Sequence, residues 1–131
     1  MIIIIDDNIS RALSNQSILN YFGVGNVVLK HDSYSGLSLC ASICRDLDFV
    51  IINLFMDDLD GFEILHHIKH ISKKIPVYAC SALNYAELIK KCHQEGFSGF
   101  IHNPLTFKKA NEFLKQVPSK SRKKDFICIS D

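Results

Sequence analysis

Two adjacent carboxylates, Asp6 and Asp7, stand directly after a run of four isoleucines. Three more polar side chains close apolar runs in the same way: Asn53 after Phe49 to Ile52, Ser81 after Val77 to Cys80, and Asn103 just beyond Phe100 and Ile101. Paired carboxylates suit a hard divalent cation, which takes oxygen ligands. The amide at position 53 has its lone pair delocalised and is not a competent nucleophile. The side chains therefore describe an oxygen-rich cleft without a nucleophile at its centre.

The elements that must position these residues read clearly. Ile2 to Ile5 is a β-branched run and predicts a short, fully buried strand. Asp48 leads a second such run, Phe49 to Ile52, of the kind found in parallel strands covered on both faces. Val27-Val28-Leu29, Pro76 to Cys80 and Ser98 to Ile101 predict three more strands. Helices are predicted between them. One runs from Ser10 to Phe22 and is stopped by Gly23 and Gly25; one is capped by Ser33 or Ser35; and one is opened by Gly61, with Phe62, Ile64, Leu65, Ile68 and Ile71 inward. A fourth, Tyr85 to Glu95, ends at Gly96, and Thr106 caps a last one with Phe107, Ala110, Phe113, Leu114 and Val117 along one face. Five strand-helix units in alternation imply an α/β fold, with a parallel sheet and helices on both faces joined by right-handed crossovers. Asn53 would then lie at the carboxyl end of a central strand, where open α/β sheets build their sites.

The 131 residues suffice for one domain with a proper core. With 47% hydrophobic and 22% charged residues, the composition is that of a globular protein. A formal charge of +1 gives no general argument for nucleic acid or an anionic membrane, and neither is expected as a partner. No apolar stretch approaches the ~20 residues that span a bilayer, and the start has no signal-peptide pattern. The five cysteines are scattered and mostly embedded in apolar patterns, as in reduced core positions of a cytoplasmic protein.

Over Met1 to about Val117 the chain resembles the receiver domain of two-component response regulators. Asp6-Asp7 stands at the place of that family's acidic pair, Asn53 at its phosphoacceptor position, Ser81-Ala82 at its hydroxyl-plus-small pair, and Asn103-Pro104 at its residue-plus-proline pair. Leu54, Met56, Asp60 and Gly61 also fall where the receiver run around the phosphoacceptor puts them. The resemblance implies a flavodoxin-like, doubly wound sheet of five strands in the order 2-1-3-4-5 with five helices, and a cis Asn103-Pro104 bond. It assigns residues 1–117 to the receiver-like domain and leaves 118–131 as a basic tail with an apolar end. Phe126 to Ile129 has strand character and is expected to pack on the domain or to add to a sheet edge.

Two departures bear on function. The family's phosphoacceptor is an aspartate and its partner a lysine; Asn53 and Asn103 replace both. The expectation is a degenerate receiver that is not an enzyme and acts in two-component or phosphorelay signalling through phosphorylation-independent protein contact. Asp6, Asp7, Asn53, Ser81 and Asn103 would form the remnant pocket. The paired loss leaves a net of about two negative charges from Asp6 and Asp7, the same as in the intact site. By resemblance Mg²⁺ would be held by Asp6, Asp7, Asn53 and the backbone carbonyl of Phe55, a set weakened by the uncharged amide; no other cofactor is implied. Phe100 holds the place of the family's switch aromatic. The family's usual partner or homodimer face, the fourth helix with the fifth strand and fifth helix, would here carry Tyr85, Lys90, Lys91, Phe100, Lys108, Lys109 and Phe113. With no effector domain following, output through contact with an acidic protein partner is expected. Two alternatives stand beside this reading: a working phosphoreceiver that uses Asp57 or Asp58, and a flavodoxin-like binder of a small ligand. The second lacks a phosphate-cradling glycine loop.

Overall fold

The computed structural model describes residues 1–117 and 125–130. Strands and helices alternate as β1 (Ile2–Ile5), α1 (Ile9–Tyr21), β2 (Val27–Lys30), α2 (Ser33–Ile43), β3 (Phe49–Asn53), α3 (Gly61–Ile71), β4 (Val77–Ser81), α4 (Ala86–Glu95), β5 (Gly99–His102) and α5 (Phe107–Gln116), followed by β6 (Ile127–Ile129). All neighbouring strands are parallel, in the order β2-β1-β3-β4-β5-β6. The expected order holds for the first five strands, but the sheet has six. The apolar end of the tail supplies the sixth by pairing with β5, because Ile127 and Ile129 gain burial there while Cys128 between them stays exposed.

Residue alternation along the central strands divides the core in two. Ile2, Ile4, Phe49, Ile51 and Tyr78 face α1 and α5, packing with Leu19, Ala110 and Phe113. Ile3, Ile5, Val50, Ile52 and Ala79 pack on the other side with Cys40, Ile64, Leu65, Ile68, Leu88 and Cys92. Tyr78 is wholly buried, its ring edge-on to Phe49 at 5.5 Å and to Phe113 at 4.8 Å.

Side chains set the helix starts. Asn8, Asp32, Asp60 and Thr106 each accept a hydrogen bond from a backbone amide three residues on, satisfying donors that the first helical turn leaves free. For α2 the cap is Asp32, one residue before Ser33 and three before Ser35, the two serines expected. Gly96 ends α4 at φ 108°, a left-handed conformation that suits glycine. The Asn103-Pro104 bond is cis.

Candidate functional site

The strand register draws the polar residues into one cluster at the carboxyl edge of the sheet. Ile5 lies opposite Ile52, Asn53 opposite Cys80, and Ser81 opposite His102, so Asp6, Asn53, Ser81 and Asn103 emerge side by side. All four are buried. A carboxylate so placed needs a partner, and Asp6 has one that the sequence reading missed. Arg11, in the first turns of α1, donates from Nε to Asp6 Oδ2 and from Nη2 to Oδ1, each at 2.7 Å. The Asn8 amide adds a third bond to Oδ1 at 2.9 Å. This fork-to-carboxylate geometry is the strong form of ion pair. It raises the Arg11 pKa further above its ordinary value, with the hydrogen bond to Asp6 outweighing partial burial. Arg11 also lowers the cluster's charge from the two negative units expected to one.

Asn53 turns inward on its own loop. Its Nδ2 donates to the carbonyl oxygen of Phe55 at 3.0 Å. Asp7 Oδ2 accepts from the Asp57 amide at 3.2 Å. Ser81 Oγ accepts from the Leu83 amide at 3.0 Å, a local turn contact. Asn103 Oδ1 accepts from the Cys80 thiol at 2.8 Å, and its Nδ2 has no hydrogen-bond partner among the described residues. Burial pushes the Cys80 thiol up to about 12, and the nearby Asp6 charge adds to the shift. Lys109 Nζ lies close by but is spent on two carbonyls, those of His102 and Pro104, each at 3.1 Å.

The set implied by resemblance fits Mg²⁺, which wants near-octahedral oxygen ligands, only in part. Asp6 is taken by Arg11 and the Phe55 carbonyl is already an acceptor for the Asn53 amide, which leaves Asp7, with one oxygen accepting from the Asp57 amide, as the carboxylate open to a cation. Among the described residues no three His, Cys, Asp or Glu side chains are grouped to hold a metal.

The acids weighed as substitutes behave differently from one another. Asp58 accepts from the Ser33 amide at 2.8 Å and from its hydroxyl at 2.7 Å, so it binds the start of α2. Partial burial works against its charge, but the Ser33 bonds outweigh it and hold the carboxyl below its ordinary range. Asp57 is exposed.

The expected partner face needs a correction. Phe100 and Phe113 are fully buried, Phe100 in the core with Ala79 and Leu88 and Phe113 with its ring against Phe49 and Tyr78, and Lys109 is 7% exposed because it folds back to cap the β5–α5 loop. Tyr85, Lys90, Lys91 and Lys108 remain at the surface. Lys91 Nζ stands 4.4 Å over the Phe62 ring.

Residues 2–115 match the family described as the response regulator receiver domain. The transcriptional regulatory protein ZraR of Salmonella typhimurium is 27% identical over 122 residues, covering 92% of this chain and 27% of that protein. The probable C4-dicarboxylate response regulator DctR of Priestia megaterium is 25% identical over 134 residues, 58% of its length. The chain thus spans only part of these relatives. Among solved structures, a response regulator receiver domain protein from Clostridium thermocellum is 25% identical and superposes with a TM-score of 0.75 over 82% of this chain and 84% of that one. The CheX-CheY complex of Borrelia burgdorferi, with beryllofluoride and magnesium, contains a chain of the same fold at TM-score 0.82 and 24% identity, covering 88% and 87%. With the ordered strand-end residues, the parallel sheet and a family match over nearly all of the α/β unit, the chain belongs to the response regulator receiver domain family of two-component signalling.

Proposed function

We propose that this receiver signals by contact and not by phosphoryl transfer, as a degenerate member of its family that is not an enzyme. The reading rests chiefly on Asn53. An amide ends the central strand with its nitrogen bonded to the Phe55 carbonyl, so position 53 supplies no nucleophile and offers a cation only an uncharged oxygen. Arg11 supports the same reading from the other side, since it neutralises Asp6 without an external cation. A substitute role for Asp58 is disfavoured by its commitment to Ser33.

The partner is a cytoplasmic signalling protein with an acidic contact surface. Tyr85, Lys90, Lys91 and Lys108 form the exposed part of the proposed face, with Tyr85 53% exposed as an aromatic anchor. The test is thermal melting with and without Mg²⁺ plus beryllofluoride, the phosphoryl mimic. A ligand that binds only the folded state raises the melting temperature by mass action. No shift, and no adduct after incubation with acetyl phosphate, is the expected result; a clear shift would overturn the proposal.

A further inference from the structure

The sixth strand has no part in the pocket. β6 runs parallel to β5 with Gly99 opposite Ile127, Phe100 opposite Cys128 and Ile101 opposite Ile129. The Ile127 amide donates to the Ser98 carbonyl at 3.0 Å. Buried Ile127 and Ile129 flank exposed Cys128, the alternation of a strand with one covered face.

The place it occupies is shaped for it. A Cβ added at Gly99 would stand 2.5 Å from the Ile127 carbonyl oxygen and 3.0 Å from the Ile127 Cβ, so a side chain at 99 would force the strands apart. Beyond the ladder, the Phe126 ring stacks on His93 of α4 at 4.6 Å, and Asn84 Nδ2 reaches Ser130 Oγ at 3.3 Å. Yet β6 is only three residues long, outermost in the sheet, and paired on one side alone. The other five strands pair with one another without it.

We propose that the β5 edge is an exchangeable strand seat, filled within the chain by β6 and, when that strand lets go, by residues 126–130 of a second copy. The occupant is a second copy because the complement of the seat is written in this chain: isoleucines at 127 and 129, a ring at 126 for His93, and a hydroxyl at 130 for Asn84. A strand added from another molecule offers the same row of backbone donors and acceptors, so exchange preserves every contact and changes only which chain supplies it. The inference does not depend on the state of the Asn53 pocket.

The test uses the full chain and a fluorescent peptide of residues 125–131, titrated into wild type and into the I127D/I129D variant while anisotropy is followed. Saturable binding to the variant is expected, with binding to wild type about tenfold weaker or more because its own strand competes. No binding to the variant, or equal binding to both proteins, overturns the proposal. Hydrogen exchange on the wild type decides the matter if the variant does not fold. The β6 amides should exchange through a local opening well before those of β1 and β3. Exchange of β6 only together with the central strands would overturn it.

Discussion

Arg11 holds Asp6 through two parallel bonds of 2.7 Å, and Asp6 is 3% exposed. A charge so enclosed depends on its partner. Removing one side of such a pair leaves the other desolvated without compensation, which costs more than the pair itself contributes. Replacing Arg11 with glutamine is expected to lower stability by roughly 1–3 kcal/mol, and lysine, which lacks the fork, should recover only part of that. Urea denaturation of the three proteins at neutral pH measures both effects. Equal stability of R11Q and wild type would show that the pair contributes nothing.

Asn53→Asp restores the acid of the family's phosphoacceptor position and is expected to destabilise this fold. The change removes the donor to the Phe55 carbonyl and adds a negative charge to a buried cluster that already holds Asp6. A loss of about 1–3 kcal/mol at neutral pH follows from the lost bond and the desolvated charge. Chemical denaturation checks it. A mutant as stable as wild type, or more so, would count against the view that the paired change to Asn53 and Asn103 keeps the pocket's charge in balance.

Asp58 gives a pH dependence whose sign can be worked out. Its folded-state pKa is depressed by the Ser33 bonds, which overcome the opposing effect of burial. A carboxyl of this kind stabilises the fold above its unfolded value, about 3.9 for aspartate, and loses that contribution as pH falls through the folded value. The melting-temperature gap between wild type and D58N should therefore be open at pH 6–7 and close below about pH 4. Scanning calorimetry across that range would test it, and a gap that persists in acid would point to packing instead.

The thiols should divide by reactivity. Burial pushes Cys40 and Cys92 up to about 11 and Cys80 up to about 12, whereas Cys128 is exposed on β6 and raised only by partial burial. The thiolate is the reactive form, so alkylation of the native protein at mild pH should label Cys128 long before those three. Peptide mass mapping after timed iodoacetamide treatment gives the order. Early labelling of Cys80 would mean that the site cluster opens more readily than its burial implies.

Much of this was legible in local sequence. The isoleucine run, the Phe49 to Ile52 run, the Thr106 cap and the glycine after Glu95 each act within a few residues of themselves, so pattern and propensity located the first five strands and five helices. What escaped depends on contacts distant in sequence. The Cys80 thiol meets Asn103 only after β4 and β5 pair, and Lys109 turns inward to donate to the carbonyls of His102 and Pro104. The burial of Phe100 and Phe113 likewise follows from the packed sheet, where Phe113 meets Phe49 and Tyr78. Arg11 was within reach. A basic residue five positions after Asp6, on the first turns of a helix that starts at the same strand end, is a natural partner for it.

Tyr78 gives the molecule an optical reporter of its own. The chain has four tyrosines and no tryptophan. Tyr21, Tyr34 and Tyr85 lie at the surface, 72%, 83% and 53% exposed, while Tyr78 is enclosed by Phe49 and Phe113 and burial pushes its phenol up to about 12. In alkaline solution the enclosed Tyr78 phenol should ionise only as the sheet comes apart. The slow part of the phenolate absorbance then records the opening of the core, with no label attached.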